Sequence, residues 1–442
     1  MTFFHKGKPI KNVSFLGFGK SNAAVYEYLK ANYPELEFTV RAIGRPCVLP
    51  KGVRVLGDDE PYHALPCDVI FVSPSVRRDK YNLDAPILSS DAELFFEKNR
   101  REVFAVTGSD GKSTTASISA KLLGTCAIGN IGIPFVKALG YSDSSDALPL
   151  VAELSSFQLM NFAPKSRRAV ITNITPNHLD WHSSYEEYIE SKKNVLKNTQ
   201  EPILFLGGNE SFDILKKHRP YALASLILSE EEIKKHKAEL YVYVKDGAIC
   251  TNGEKLLDLS DISRKEEYNI KNFLSAIALT HGFFDTDTLI RTAKEFSGLP
   301  HRLELVGEAF GVKFFNSSID SSPQRTLETL TSLKNPYVLI MGGRTKMDNF
   351  EILEDVIERT AAALVLTGEN AREISEKLAS ISIPICFEAD FDAAVERGFY
   401  LAKNKGSVVL SPASVSYDAF SNFEERGDAF RRVAEKIKLR GL

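Results

Sequence analysis

Val103-Phe-Ala-Val-Thr-Gly108-Ser109-Asp110-Gly111-Lys112-Ser113-Thr114 reads as a buried strand that delivers a glycine loop into a helix. The apolar run Val103–Val106 predicts the strand, and a helix is expected from about Ser113. Gly111 lets the backbone come close to a phosphate, and the successive N–H groups and helix N-terminus supply a partial positive field. Lys112 has the reach for β- and γ-phosphates, and the Ser113 hydroxyl is a candidate Mg²⁺ ligand. Val106 stands where the strict eight-residue phosphate loop has its first glycine, so only the second half of that pattern matches. Nucleotide binding is the reading. An ATPase, a kinase and a ligase all remain open, and the bland alternative is a tight strand–helix turn with an exposed lysine.

Outward from this loop, short apolar runs alternate with helical stretches along the whole chain. Strands are expected at Val13–Leu16, Phe38–Ala42, Val53–Val55 and Val69–Val72, then at Leu148–Val151, Ala169–Ile171 and Ile203–Leu206. The last third repeats the rhythm at Tyr337–Met341, Ala363–Leu366 and Val408–Leu410. Strands separated by helices predict open parallel sheets covered on both faces, an α/β class. Between Leu240 and Leu259, Asp246-Gly247 and Asn252-Gly253 interrupt β-rich runs and predict a small meander at a sheet edge. At 442 residues the chain suits three domains, expected at 1–98, 99–297 and 298–442. The first and third are expected to be Rossmann-like and the middle one P-loop ATPase-like.

Composition excludes several classes. Lys and Arg total 55 against 58 Asp and Glu, a net charge of −3, which gives no support to a nucleic-acid or polybasic membrane surface. No apolar run approaches the roughly 20 residues that span a bilayer, and the N-terminus lacks the pattern of a signal peptide. Five scattered cysteines without a C-x-x-C pair read as reduced thiols. A cytoplasmic monomer is expected.

Three further clusters carry polar side chains. Gly17-Phe-Gly19-Lys20-Ser21-Asn22 follows a strand and opens a helix, as in a dinucleotide loop. The third glycine is Asn22, and the next strand closes on Arg41-Ala42 without an acid, so a nicotinamide cofactor is disfavoured and a diphosphate is not. Glu153-Leu-Ser155-Ser156-Phe-Gln158 sits at a strand end, where open α/β sheets hold ligands. His178 and His182 have i,i+4 spacing, but Leu179 occupies the place of a metalloprotease glutamate and Pro176 opposes ligation by both. Lys192 lies on a helix expected from Tyr185, ordinarily a solvated position.

Taken together, these motifs resemble the Mur ligase family along essentially the whole chain. The resemblance rests on Thr107–Ser113, Gly129-Asn130-Ile-Gly132-Ile-Pro134, Glu153–Gln158, Asn177-His-Leu-Asp-Trp-His182 and Tyr188-x3-Lys192. It extends through Leu299-Pro-His-Arg302, Gly342-Gly343-x2-Lys346, and Ser411-Pro-Ala-Ser-x-Ser416 with Asn422-Phe-Glu-Glu-Arg-Gly427. It is nearest to the branch that adds D-glutamate to UDP-N-acetylmuramoyl-L-alanine, using ATP and Mg²⁺ through an acyl phosphate. The resemblance implies catalytic roles for Lys112, His178 and Lys192, the last as a carbamate. It implies ATP contacts from residues 108–114 (Gly108, Ser109, Asp110, Gly111, Lys112, Ser113, Thr114), Asn269, Asn272 and Arg302. Ser113, Glu153, His178 and Lys192 would hold metal. Lys20, Ser21, Asn130, Ser155 and Gln158 would meet the UDP-sugar, and Lys346, Ser416, Tyr417 and Phe423 the incoming glutamate.

The chain also departs from the family pattern. Where an acid and a lysine are usual it has Ser317 and Ile319, with Asp320 a candidate replacement acid and Arg325 or Arg344 a replacement cation. Asn177 replaces a frequent acid before His178. Three alternatives therefore stay open: a sibling ligase with another acceptor (L-glutamate or a folate among them), a catalytically degenerate binding homologue, and a dinucleotide oxidoreductase resting on Gly17 and Gly19 alone.

Overall fold

The computed structural model describes residues 2–43, 49–56, 67–81, 83, 85–140, 148–176, 178, 181–206, 220–333, 336–345, 347–403 and 406–440. Lys346, Asn177 and Cys47 therefore lie outside the described residues. The chain divides into two compact units, Met1–Phe296 and Ser297–Leu442.

The first unit opens with a hairpin of β1 (Phe3–His5) and β2 (Lys8–Ile10). A five-stranded parallel sheet follows, made of β3 (Asn12–Leu16), β4 (Glu37–Arg41), β5 (Arg54–Val55), β6 (Val69–Val72) and β7 (Leu88–Ser89), in the order β5-β4-β3-β6-β7. Helix α1 (Lys20–Asn32) starts directly from the Gly17–Gly19 loop. Asn22, in place of a third glycine, is fully buried and donates from Nδ2 to the Gly17 and Phe71 carbonyls at 2.7 and 3.0 Å. Its side chain thus staples the loop to β6.

Helix α2 (Asp91–Lys98), capped by Ser90, faces two ways. Its Leu94 enters the core of the first sheet with Phe15, Val40 and Phe71, while Ala92 and Phe95 enter the core of the second sheet. That sheet has nine strands in the order β16-β15-β14-β13-β12-β11-β8-β10-β9. They are β8 (Val103–Thr107), β9 (Ala127–Gly129), β10 (Leu150–Glu153), β11 (Lys165–Ile171), β12 (Asn198–Leu206), β13 (Ala222–Ser225), β14 (Leu240–Lys245), β15 (Ala248–Thr251) and β16 (Glu254–Asp258). Pairing is parallel from β9 to β14 and antiparallel through β14, β15 and β16. The edge meander turns at Asp246-Gly247 and Asn252-Gly253, all four residues at positive φ, as the turn dipeptides predict. Helices α3 (Lys112–Leu123), α4 (Ser156–Leu159), α5 (Tyr185–Lys197) and α6 (Glu267–Thr280) belong to this sheet's layer. Every residue of β8 and β10 is buried, the signature of strands covered on both faces.

The second unit holds β17 (Glu304–Ala309), β18 (Val312–Asn316), β19 (Tyr337–Gly342), β20 (Ala361–Thr367), β21 (Ile385–Phe387) and β22 (Ser407–Leu410), ordered β17-β18-β22-β19-β20-β21. Among the described residues of this unit only β17 and β18 pair antiparallel. Alternation along β19 sorts its side chains into two cores: Val338 and Ile340 on one face, Tyr337, Leu339 and Met341 on the other. Helices α7 (Pro323–Ser332), α8 (Phe391–Ala402) and α9 (Phe423–Leu439) cover the faces. α/β architecture with parallel sheets is therefore observed throughout. The strand expected at Leu148–Val151 sits two residues later, because Glu153 remains in register with Val106 of β8 and Gly129 of β9.

Candidate functional site

The loop after β8 is built from backbone rather than side chains. Gly111 takes φ 75 and caps α3 with no side-chain hydrogen bond of its own, the backbone arrangement with which helix N-termini receive anions. A Cβ there would also come within 2.2 Å of the Asn272 carboxamide, so glycine is required twice over. Asn173 holds the loop from behind: its Oδ1 accepts from the Ser109 and Asp110 N–H groups at 3.1 and 2.8 Å. Thr172 Oγ1 donates to the Asp110 carbonyl at 2.5 Å. Ser109 Oγ lies 2.7 Å from the Tyr188 hydroxyl on α5 and donates to the Thr175 carbonyl. Lys112 Nζ folds back to the Ser109 carbonyl at 2.6 Å. Asn173, Thr172 and Tyr188 were not singled out from the sequence for this role; a Thr-Asn pair ending a strand beside a phosphate loop is the signal that could have found them.

Lys192 is not on a solvated face. It is 1% exposed, and its Nζ donates to the Gly108 carbonyl at 2.6 Å and lies 4.5 Å from the Tyr188 ring centre. Burial, then the neighbouring Lys112 charge, holds its ammonium pKa well below the usual lysine range, against the opposing pull of Asp110 and Glu153. A neutral amine is the nucleophilic form of lysine, the form that adds CO₂ to give a carbamate.

Glu153 ends β10 and is fully buried. Its Oε1 accepts from Asn130 Nδ2 at 2.8 Å, while Oε2 is buried without a hydrogen-bond partner among the described residues. A buried carboxylate oxygen left over in this way is costly unless a cation or water meets it. That observation fits a Mg²⁺ site, with the Ser113 hydroxyl in the first turn of α3 as a further oxygen donor. No cluster of three or more His, Cys, Asp or Glu side chains forms a ready metal cage among the described residues, so the remaining donors must come from elsewhere: hydroxyls, a carbamate, phosphates or water.

His178 stands at φ 56, and its carbonyl accepts from the Trp181 and His182 N–H groups. Its ring packs on Phe157 at 4.9 Å. His182 points elsewhere. Its Nε2 is 3.0 Å from Ser156 Oγ, its Nδ1 lies 3.3 Å from Glu187 Oε2 without hydrogen-bond alignment, and burial lowers its pKa.

The remaining residues expected in this unit are distributed as follows. Asn269 and Asn272 are buried on α6, Asn272 Oδ1 accepting from Thr115 on α3 and Asn269 Nδ2 donating to the Arg264 carbonyl. Thr114 lies in the first turn of α3. Ser155 and Gln158 form the capping box of α4, a local structural task for part of each side chain. Lys20 opens α1 beside Ser21. Asn130 meets Glu153 through both its amide groups, the backbone N–H reaching the Glu153 carbonyl at 3.0 Å.

In the second unit, distant blocks converge. Arg344 and Val415 exchange backbone hydrogen bonds, bringing the Gly342–Arg344 turn beside Ser416 and Tyr417. Asn370 is the residue sequence reasoning missed: it bonds the Gly343 N–H, Thr345 Oγ1 and Ser414 Oγ at once. Phe423, at the start of α9, accepts the Ser318 hydroxyl at its carbonyl. Arg302 is half-buried after the His301 turn. Asp320 is buried, its pKa raised by burial, and Oδ2 accepts from Ser411 Oγ at 2.8 Å. Its carboxyl is engaged inside this unit, with Ser317 Oγ receiving the Leu303 N–H nearby.

The profile of the Mur ligase middle domain matches residues 106–280. A protein named UDP-N-acetylmuramoylalanine–D-glutamate ligase from Acetivibrio thermocellus is 34% identical over 469 residues, covering 98% of each chain. Namesakes from Clostridium tetani and Clostridium perfringens are 33% and 32% identical and cover 97% and 98% of this chain and of their own lengths. Among solved structures, a UDP-N-acetylmuramate–alanine ligase from Thermotoga maritima aligns with a TM-score of 0.55 at 17% identity, over 96% of this chain and 99% of its own. A pseudomurein peptide ligase from Methanothermus fervidus gives 0.54 at 16%, over 97% and 100%. At those identities the structures speak to the fold.

Proposed function

The chain belongs to the Mur ligase family, and we propose that it joins D-glutamate to UDP-N-acetylmuramoyl-L-alanine with cleavage of ATP to ADP and phosphate. The observation that carries this reading is the agreement, over nearly the whole chain, with ligases of that name. The uncapped phosphate loop, the half-satisfied Glu153 and the buried Lys192 supply the chemistry it needs.

In the reaction the terminal carboxylate of the precursor attacks the γ-phosphorus of ATP, and the bond to the ADP oxygen breaks. The glutamate amine then adds to the carbonyl of the acyl phosphate, and inorganic phosphate leaves with amide formation. The barrier is electrostatic, because an anion must approach a polyanion. The α3 N–H groups and the Lys112 ammonium place fixed positive charge where that charge accumulates. Mg²⁺, for which Ser113, Glu153, His178 and a Lys192 carbamate are the candidate holders, would offset the same repulsion. Asn269, Asn272 and Arg302 are assigned to the nucleotide, and Lys20, Ser21, Asn130, Ser155 and Gln158 to the UDP-sugar. Lys346, Ser416, Tyr417 and Phe423 are assigned to the carboxylates of glutamate. Three functional domains (1–98, 99–297 and 298–442) and a cytoplasmic monomer complete the proposal; no described helix is long and apolar enough to cross a membrane.

A second reading, a ligand-binding homologue without turnover, is favoured by one observation: Ser317 and Ile319 carry no charge, and Asp320 is turned into its own unit. Phosphate release with ATP, Mg²⁺ and UDP-N-acetylmuramoyl-L-alanine, adding D-glutamate, L-glutamate or neither, separates the readings. D-glutamate-dependent release, with a product one glutamyl residue heavier, is expected. Release with L-glutamate alone would point to another acceptor, and no release despite ATP binding would point to the silent homologue.

A further inference from the structure

Arg77 belongs to none of the family motifs, yet the turn at Trp181 and helix α5, more than 100 residues further along the chain, both meet on it. It follows β6 by a short loop and is 8% exposed. Nη1 donates to the Trp181 carbonyl at 2.7 Å and to Glu187 Oε2 at 3.0 Å; Nη2 reaches Glu187 Oε1 at 3.3 Å. Nε and Nη2 also take both oxygens of Asp79, at 2.9 and 2.5 Å. The guanidinium sits 5.3 Å from the Trp181 ring centre, and Trp181 Nε1 donates to the Ser75 carbonyl at 3.2 Å in the same loop. Only a planar fork can serve two carboxylates, a carbonyl and an indole face together.

What Arg77 grips is the turn that begins at His178. The His178 carbonyl receives the Trp181 and His182 N–H groups, and His178 holds a left-handed backbone that a non-glycine residue adopts only when its surroundings impose it. Glu187, the other partner, sits on α5, the helix that carries Lys192, and also accepts the Ser183 N–H at 2.8 Å. His182 continues the contact to Ser156 at the start of α4, next to the Glu153 strand. The ion pair is partly buried, so its geometry is set by packing rather than by solvent.

We propose that Arg77 is a positioning residue of this ligase: through Trp181 and Glu187, the loop leaving the first sheet sets the His178 turn and the α5 helix of Lys192. This rests on assigning His178 and Lys192 to the reacting centre. It ties the sheet assigned to the nucleotide-sugar to the strand ends assigned to ATP, within one unit of the chain.

Trp181 is the only tryptophan of the chain, so its fluorescence reports this contact directly. Arg77→Ala and Arg77→Lys are compared with the unaltered protein for kcat and KM, corrected for folded fraction, and for acrylamide quenching of Trp181. Displacing reacting groups by a fraction of an ångström lowers kcat, so Arg77→Ala is expected to lose about 10- to 100-fold in kcat. KM for the precursor should stay within about threefold. Quenching of Trp181 should rise, and Arg77→Lys should recover only part of either effect. A purely structural arginine would lower the melting temperature while leaving kcat per folded molecule within about twofold of the unaltered protein; that result, or unchanged quenching, overturns the proposal. If Arg77→Ala does not fold, Glu187→Gln removes the same ion pair at constant size and is judged by the same two readouts. If the unaltered protein turns over no precursor, the functional reading falls, and the quenching comparison still decides whether Arg77 holds the turn.

Discussion

Lys192 shows how far the meaning of a residue depends on its surroundings. On sequence alone a helical lysine belongs in water, and only the resemblance argued otherwise. The structure places its amine against the Gly108 carbonyl and the Tyr188 ring, with its pKa pushed well down by burial. An amine whose pKa is pushed down loses its proton more readily, and the neutral form can make an N–C bond to CO₂ and release a proton, turning a base into a carboxylate near Glu153. If that carboxylate is what the reaction needs, Lys192→Ala should lose most of its activity and regain part of it in added acetate. Phosphate-release assays with and without the acid decide, and full activity in Lys192→Ala without acetate sinks the carbamate. Lys112 and Glu153 were legible in the sequence because their types and spacings are tied to phosphate and metal chemistry. Arg77, Asn173 and Asn370 were not, since each acts on backbone groups or side chains that only the fold brings near.

At the scale of elements, several motifs that look like ligand contacts are also packing devices. His301 and Gly427 come from two such blocks in the second unit. A Cβ added at Gly427 would lie 2.1 Å from His301 Nδ1, with the imidazole itself held by Asn316 Nδ2 at 3.1 Å. Asn316 in turn donates to the Gly427 carbonyl at 3.0 Å. Arg426, one residue earlier on α9, is buried and bonded to the Ser318 hydroxyl and to the Ser318 and Ser414 carbonyls. Burial lowers its pKa to about 10. Overpacking a rigid contact of this sort typically costs about 1–3 kcal/mol. Gly427→Ala is therefore expected to lower the urea midpoint by that amount of stability, and an unchanged midpoint would show that His301 can move aside freely. Strands such as β3, β6, β8, β11, β19, β20 and β22 were read from the sequence, because buried parallel strands are short apolar runs between turn residues, whereas β7, β9, β13, β17, β18 and β21 were not. Strand ends were less legible: β10 runs on to Glu153 since a polar residue at a strand's C-terminal end can complete the pairing and still face a ligand crevice.

On the scale of the whole molecule, fold class was legible because the α/β rhythm recurs from end to end, whereas compactness is a property of three-dimensional contacts. Two units emerge, and the second carries what an independent domain requires. Its six strands form one sheet with both faces covered, one core built around Val338, Ile340, Val408 and Phe430, the other around Leu339, Met341, Leu353 and Leu366. Two of its buried charged groups find partners within it: Arg426 bonds Ser318, Gly342 and Ser414, and Asp320 bonds Ser411. A chain of this length burying two cores on one sheet lies within the usual size of an autonomously folding domain. The fragment 297–442 should therefore fold alone, with cooperative urea unfolding and native-like circular dichroism. It should also lack ATP binding, because the phosphate loop, Asn269 and Asn272 all belong to the other unit. A fragment that stays unfolded, or melts without cooperativity, would mean that the second unit depends on the first for its stability, and the two would have to be treated as one folding unit.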